Sequence, residues 1–63
     1  MFTAKDLSVG DLIATYRLTV TEVNKLPAKI WNHQLYSVKG VSWDTKEIRD
    51  YIVTDDRELE VWE

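Results

Sequence analysis

Asp44-Thr45-Lys46-Glu47-Ile48-Arg49-Asp50-Tyr51-Ile52-Val53-Thr54 is the stretch on which the fold turns, because it satisfies two incompatible patterns. With a helical period, Asp44 to Glu47 forms a capping box, and Ile48, Tyr51 and Ile52 share one face at spacings of three and four. With a period of two, Tyr51 and Val53 fall on one side of a strand and alternate with the other. The β-branched and aromatic run Tyr51-Ile52-Val53-Thr54, broken by Asp55-Asp56, favours a strand that ends in a turn. The reading adopted is a strand over 47–54 in an all-β domain. A helix at about 45–53, in an α+β domain, is the alternative.

The same phrase, a Tyr two residues before an aliphatic, occurs at Tyr16-Arg17-Leu18, Tyr36-Ser37-Val38 and Tyr51-Ile52-Val53. Each marks a strand centre with one buried face, and the unequal spacing argues for a meander over a duplicated unit. The first short strand is expected over 12–14 and the second over 16–23, with Tyr16, Leu18 and Val20 inward. A bulge near Thr21-Glu22 restores Val23 to the core face. Residues 24–32 read as a long irregular loop, since Pro27 has no amide to donate and keeps Leu26 extended. A third strand is expected over 33–41, with Gly40 marking a bend or bulge. The turn Trp43 to Lys46 leads into the strand over 47–54. A last strand over 58–62 places Leu59 and Val61 inward. Ahead of these strands, Phe2 to Leu7 reads as one capped helical turn, with Thr3 accepting from the amide of Asp6. Gly10 follows at a tight turn that needs positive φ.

A chain of 63 residues holds one domain, 1–63, and at that size only about 60% of the unfolded surface is buried on folding. With no cysteine and a single histidine, His33, neither a disulfide nor a cysteine zinc site is available. Three Trp, three Tyr and one Phe are the resource that makes a small core feasible. Nothing resembles a signal peptide or the roughly 20 apolar residues of a membrane helix. A cytoplasmic protein with no membrane partner is expected.

The net charge of -3 is unevenly placed. Residues 1–43 carry Lys5, Arg17, Lys25, Lys29 and Lys39 against Asp6, Asp11 and Glu22. Residues 44–63 carry Lys46, Arg49 and Arg57 against Asp44, Glu47, Asp50, Asp55, Asp56, Glu58, Glu60 and Glu63. The acidic C-terminal third keeps a small domain soluble, or meets a basic partner.

Leu7-Ser8-Val9-Gly10-Asp11-Leu12-Ile13, followed by hairpin-linked strands, resembles the opening of small SH3-like β-barrels of bacteria and phages. The matching residues are Leu7, Val9, Gly10, Asp11 and Ile13. The resemblance implies a five-stranded, mostly antiparallel barrel in which the segment 24–32 takes the place of a binding loop. It carries a fold and no activity.

Catalysis finds little support: there is no cysteine nucleophile and no phosphate-binding glycine loop, and His33 would have to serve Ser8, Ser37 or Ser42 without a shielded cleft. Asp55, Asp56 and Glu58 lack the regular spacing and central Gly of a calcium loop and read as turn chemistry, so no metal or cofactor is expected. Nucleic-acid binding has candidates in Arg17, Lys25, Lys29 and Lys39 with Trp31 and Tyr36, but an acidic chain is poorly suited to phosphate neutralisation. A nucleotide-like small molecule held by aromatic rings with Lys25 or Lys29 belongs to the same alternative. Protein binding accounts best for the aromatic surplus: with the Tyr residues in the core, Trp31 is left on a loop and Trp43 and Trp62 near strand ends, the alternative being that Trp31 folds back to cap an open end of the barrel. The partner-binding candidates are Ile30, Trp31, His33, Trp43 and Trp62, with Ile30-Trp31 the sharpest. The expectation is a non-enzymatic accessory or inhibitor protein of the kind phages and mobile elements encode. It acts on a host protein, and self-association through the last strand is a second route.

Overall fold

In a computed structural model, which describes residues 2–62, the chain forms one five-stranded antiparallel sheet and a single 3₁₀ turn. The strands are β1 (Leu12–Ile13), β2 (Leu18–Ile30), β3 (His33–Ser42), β4 (Ile48–Thr54) and β5 (Val61–Trp62). Their spatial order is β4-β3-β2-β1-β5, a meander whose last strand returns to pair with the first. The sheet is open, with edges at β4 and β5.

The ambiguous stretch is a strand, so the helix at 45–53 does not form. Lys46, at φ 63, reverses the chain, and the amide of Ser42 donates to the carbonyl of Glu47. From there Ile48 to Thr54 runs antiparallel to β3, from the pair Val41↔Ile48 to the pair Leu35↔Thr54. Val53 is buried and Tyr51 packs on the core, whereas Ile48 and Ile52 face solvent. Period two prevails here because β3 offers an unpaired edge to this stretch, and half of its apolar side chains reach a core that a helix would not contact.

Ala4, Ile13, Leu18, Val20, Val38, Val53 and Leu59 are the buried apolar side chains. Tyr16, Tyr36 and Tyr51 close over them half-buried, and the rings of Tyr16 and Tyr51 stack 4.2 Å apart at 8°. Tyr16 does so from the turn before β2 and not from within the strand, because Arg17 takes φ 54 and the ladder starts at Leu18. The expected bulge is present: ladder partners step from Val20↔Gly40 to Glu22↔Lys39, which leaves Thr21 unpaired and returns Val23 to the core side.

Gly40 pairs with Val20 at the edge of that bulge, as the reading of a bend or bulge there expects. A Cβ there would sit 2.2 Å from the Thr19 carbonyl oxygen and 2.7 Å from Leu18 Cγ, so the close approach of β2 requires glycine. Gly10, at φ 97, occupies the turn assigned to it, and its amide donates to the carbonyl of Val20. In the N-terminal turn, Ala4–Asp6, the Asp6 amide bonds the Thr3 carbonyl. The Asp6 carboxylate accepts from the Thr3 amide and hydroxyl, and these bonds hold it below the usual carboxylate pKa.

Two segments depart from the sequence reading. The expected loop at 24–32 is mostly strand, since β2 continues to Ile30 and turns at Trp31-Asn32 into β3. Pro27 is tolerated because the ladder is interrupted between Lys25 and Lys29, and because β1 and the turn before it reach only Leu18 to Val20, leaving β2 beyond Val20 as an edge. The expected last strand at 58–62 shrinks to Val61–Trp62. Leu59 bridges instead to Phe2, and the Glu60 amide donates to Thr15 Oγ1.

Candidate functional site

Beyond Asn24 the β2–β3 ribbon leaves the core and becomes an arm. Lys25, Pro27, Ala28, Lys29 and Ile30 are all exposed. At its tip Trp31 and Asn32 have φ values of 51 and 67, the two positive values that a two-residue type I′ hairpin requires. Trp31 is 87% exposed and Ile30 49% exposed. A bulky aromatic residue rarely adopts left-handed backbone, which costs roughly 1–2 kcal/mol. The indole stands outward on this reversal.

Two sets of polar contacts fasten this arm. The Gln34 side-chain amide donates to the carbonyls of Leu26 and Ala28, supplying partners for backbone groups where the ladder is interrupted. His33 lies against the turn after β4: its Nδ1 is 3.0 Å from Asp55 Oδ1 and its Nε2 is 3.6 Å from Asp56 Oδ2. The Gln34 backbone amide donates to the other Asp55 oxygen at 3.2 Å, and the Thr54 hydroxyl donates to the other Asp56 oxygen at 2.7 Å. The bond from Gln34, reinforced by His33, holds the Asp55 carboxyl below its ordinary pKa.

Trp43 and Trp62 meet at the opposite end of β3. Their rings are 5.1 Å apart, tilted by 33°, and Trp43 Nε1 donates to Thr19 Oγ1 at 3.0 Å. Trp43 is half-buried and Trp62 is 54% exposed. The five partner-binding candidates therefore divide into Ile30, Trp31 and His33 at the arm and Trp43 with Trp62 beyond the other end. The ten residues of β3 separate them, about 30 Å at 3.3 Å per residue, in a molecule whose longest extent is 33 Å.

The nucleic-acid candidates are divided as well. Arg17 pairs with Asp44, Lys39 with Glu22, and Tyr36 packs on the core. Lys25 and Lys29 remain on the arm without an ion pair among the described residues. Ser37 donates to Asp50, and His33 faces two carboxylates. Among the described residues, no helix is long and apolar enough to cross a membrane.

The association of His33 with Asp55 and Asp56 was within reach of the sequence. A turn centred between Asp44 and Thr45 mirrors position 33 onto 56 and 34 onto 55, the register that β3 and β4 adopt. Reading Asp55-Asp56 as a turn alone overlooks that partner because it lies 22 residues away. No family model, curated protein or solved structure matches the chain.

Proposed function

We propose that this chain is a non-catalytic binding protein that docks on a protein partner through the tip of the β2–β3 arm. Trp31 is the anchor in this reading, and Ile30 is its neighbour. The observation that carries it is an indole 87% exposed, mounted on a positive-φ turn. Trp loses few rotamers on binding and is enriched among residues that dominate interface energies, and a pre-ordered turn lowers the entropy lost on docking. Backbone strain of this kind is tolerated where it serves a purpose.

The finer fold assignment, a small SH3-like barrel, is supported by the meander β1 to β4 and the return of β5 to β1. In that scheme the arm stands where small barrels carry a binding loop. An accessory or inhibitory role against a host protein, of the phage type, is the corresponding biological reading.

The test compares the intact protein with Trp31→Ala. The variant is expected to keep its thermal midpoint while its affinity for the purified partner falls about 30-fold or more, the loss of a hot-spot residue. A fall in stability as large as that of a core truncation, or unchanged binding, would overturn the proposal. A second reading, single-stranded nucleic acid, draws on Lys25 and Lys29 beside Trp31. It requires affinity that drops steeply with added salt, and absence of binding at low salt ends it.

A further inference from the structure

We infer that the free edge of β4 pairs antiparallel with the same edge of a second copy of this chain, giving a two-fold dimer whose sheet runs through both molecules. The exposed edges of the sheet are guarded to different degrees. Beyond Val20, β2 carries the bulge at Thr21, then Pro27 and the exposed Lys25 and Lys29. β5 has only two residues and follows the exposed Glu60, which makes the last strand a poor route to self-association. Bulges, prolines, charges and shortness are the features that discourage strand addition. β4 lacks the bulge, the proline and the shortness: its seven residues pair with β3 in unbroken register, and its Ile48 and Ile52 are 75% and 58% exposed.

The backbone of β4 is set for pairing as well. The Ser42 amide donates to the Glu47 carbonyl, which fixes the alternation of the ladder. Arg49, Tyr51 and Val53 turn their backbone groups to β3, and Ile48, Asp50 and Ile52 turn theirs to the open side, where no strand lies. The sequence of the strand selects the occupant. In a two-fold antiparallel pair one residue stands opposite its own copy. Centred on Arg49 or Asp50, the pair would set like charges face to face, which destabilises it. Centred on Tyr51, it engages all seven residues: Ile48 faces Thr54 of the second copy, Arg49 faces Val53 and Asp50 faces Ile52. No charge then meets its like within the ladder. Ile48 and Ile52 of the two chains become diagonal neighbours on the outer face, and the Tyr51 rings, each stacked on its own Tyr16, meet on the inner one. With one Arg and one Asp the strand is neutral, so this edge escapes the repulsion between copies of a chain of net charge -3. Association also supplies burial that so small a core lacks.

This surface excludes Trp31, so the inference stands apart from docking through the arm, and the purified chain alone tests it. Analytical ultracentrifugation over a range of concentrations should show a reversible shift to a particle of twice 7.4 kDa. Under dimeric conditions the amides of Ile48, Asp50 and Ile52 should gain protection from hydrogen exchange. Ile52→Asp sets a carboxylate opposite Asp50 twice in each dimer and should weaken association roughly tenfold or more. Ile52→Lys sets an ammonium there and should keep the dimer. Trp31→Ala should leave association unchanged. Thermal unfolding establishes that each variant is folded. A monomer at millimolar concentration, a dimer in which those amides stay unprotected, equal losses in folded Ile52→Asp and Ile52→Lys, or loss of the dimer in folded Trp31→Ala would overturn the inference.

Discussion

The inner and outer halves of the β2–β3 ribbon are made of the same ladder yet are held by different forces. In the inner half, Leu18, Val20 and Val38 are fully buried, and Gly40 lets the two strands approach closely. In the outer half, from Asn24 to His33, every side chain except half-buried Leu26 and His33 is exposed. There the structure rests on a two-residue turn, on Gln34 and on the His33 cluster. The hydrophobic effect supports one half of the hairpin and polar fastening the other, so the outer half can open without the inner one.

The largest test of this contrast is Leu18→Ala in the inner half. Truncating a fully buried Leu costs about 3 kcal/mol, a large share of the stability of so small a domain. Chemical denaturation should show a cooperative loss reaching β1, β3 and β4 alike, and a loss confined to the ladder near Leu18 would contradict a shared core. The corresponding change in the outer half is Gln34→Ala. It removes the partner of the half-buried Leu26 carbonyl and of the exposed Ala28 carbonyl, and since water can replace it at least in part the expected cost is about 1 kcal/mol. Amide exchange should speed up in the arm while the inner ladder keeps its protection; uniform acceleration would show that the two halves unfold together.

The smallest effect is expected from pH. The folded-state pKa of Asp55 lies below its unfolded value, so its contribution is present above the unfolded value of about 3.9 and disappears as pH falls. Asp55→Asn removes that dependence. Between about pH 5 and 3 the variant should lose less stability than the parent chain in a series of urea titrations. Parallel curves would mean that Asp55 is not held by Gln34 and His33 in solution.

The inner half was legible in the sequence because burial leaves a period-two imprint. Leu18-Thr19-Val20, the bulge at Thr21 and the face shared by Tyr36 and Val38 all follow from alternation. The outer half carries no such imprint, for a strand exposed on both faces has no apolar period. Pro27 added a misleading signal, since its effect depends on whether the strand is an edge, and only the shortness of β1 makes it one. Sequence alone leaves Trp31 between an exposed anchor and a cap folded onto the barrel, and Trp-Asn lacks the Asn-Gly or Asp-Gly signature that would place it on a two-residue turn. The Trp43–Trp62 pair depends on β5 returning to β1, a long-range event that local pattern does not encode.

The bridge between Phe2 and Leu59 has a consequence for how the chain reaches its fold during synthesis. The meander β1 to β4 contains neighbours in sequence and can pair early, but Leu59 is a buried member of the core and Val61 completes the pairing of β1. The core therefore closes only when Leu59 and Val61 have left the ribosome and joined Phe2 and β1. Until then Ile13 and Ala4 lack part of their cover, so a nascent chain that has not yet reached Leu59 exposes apolar surface.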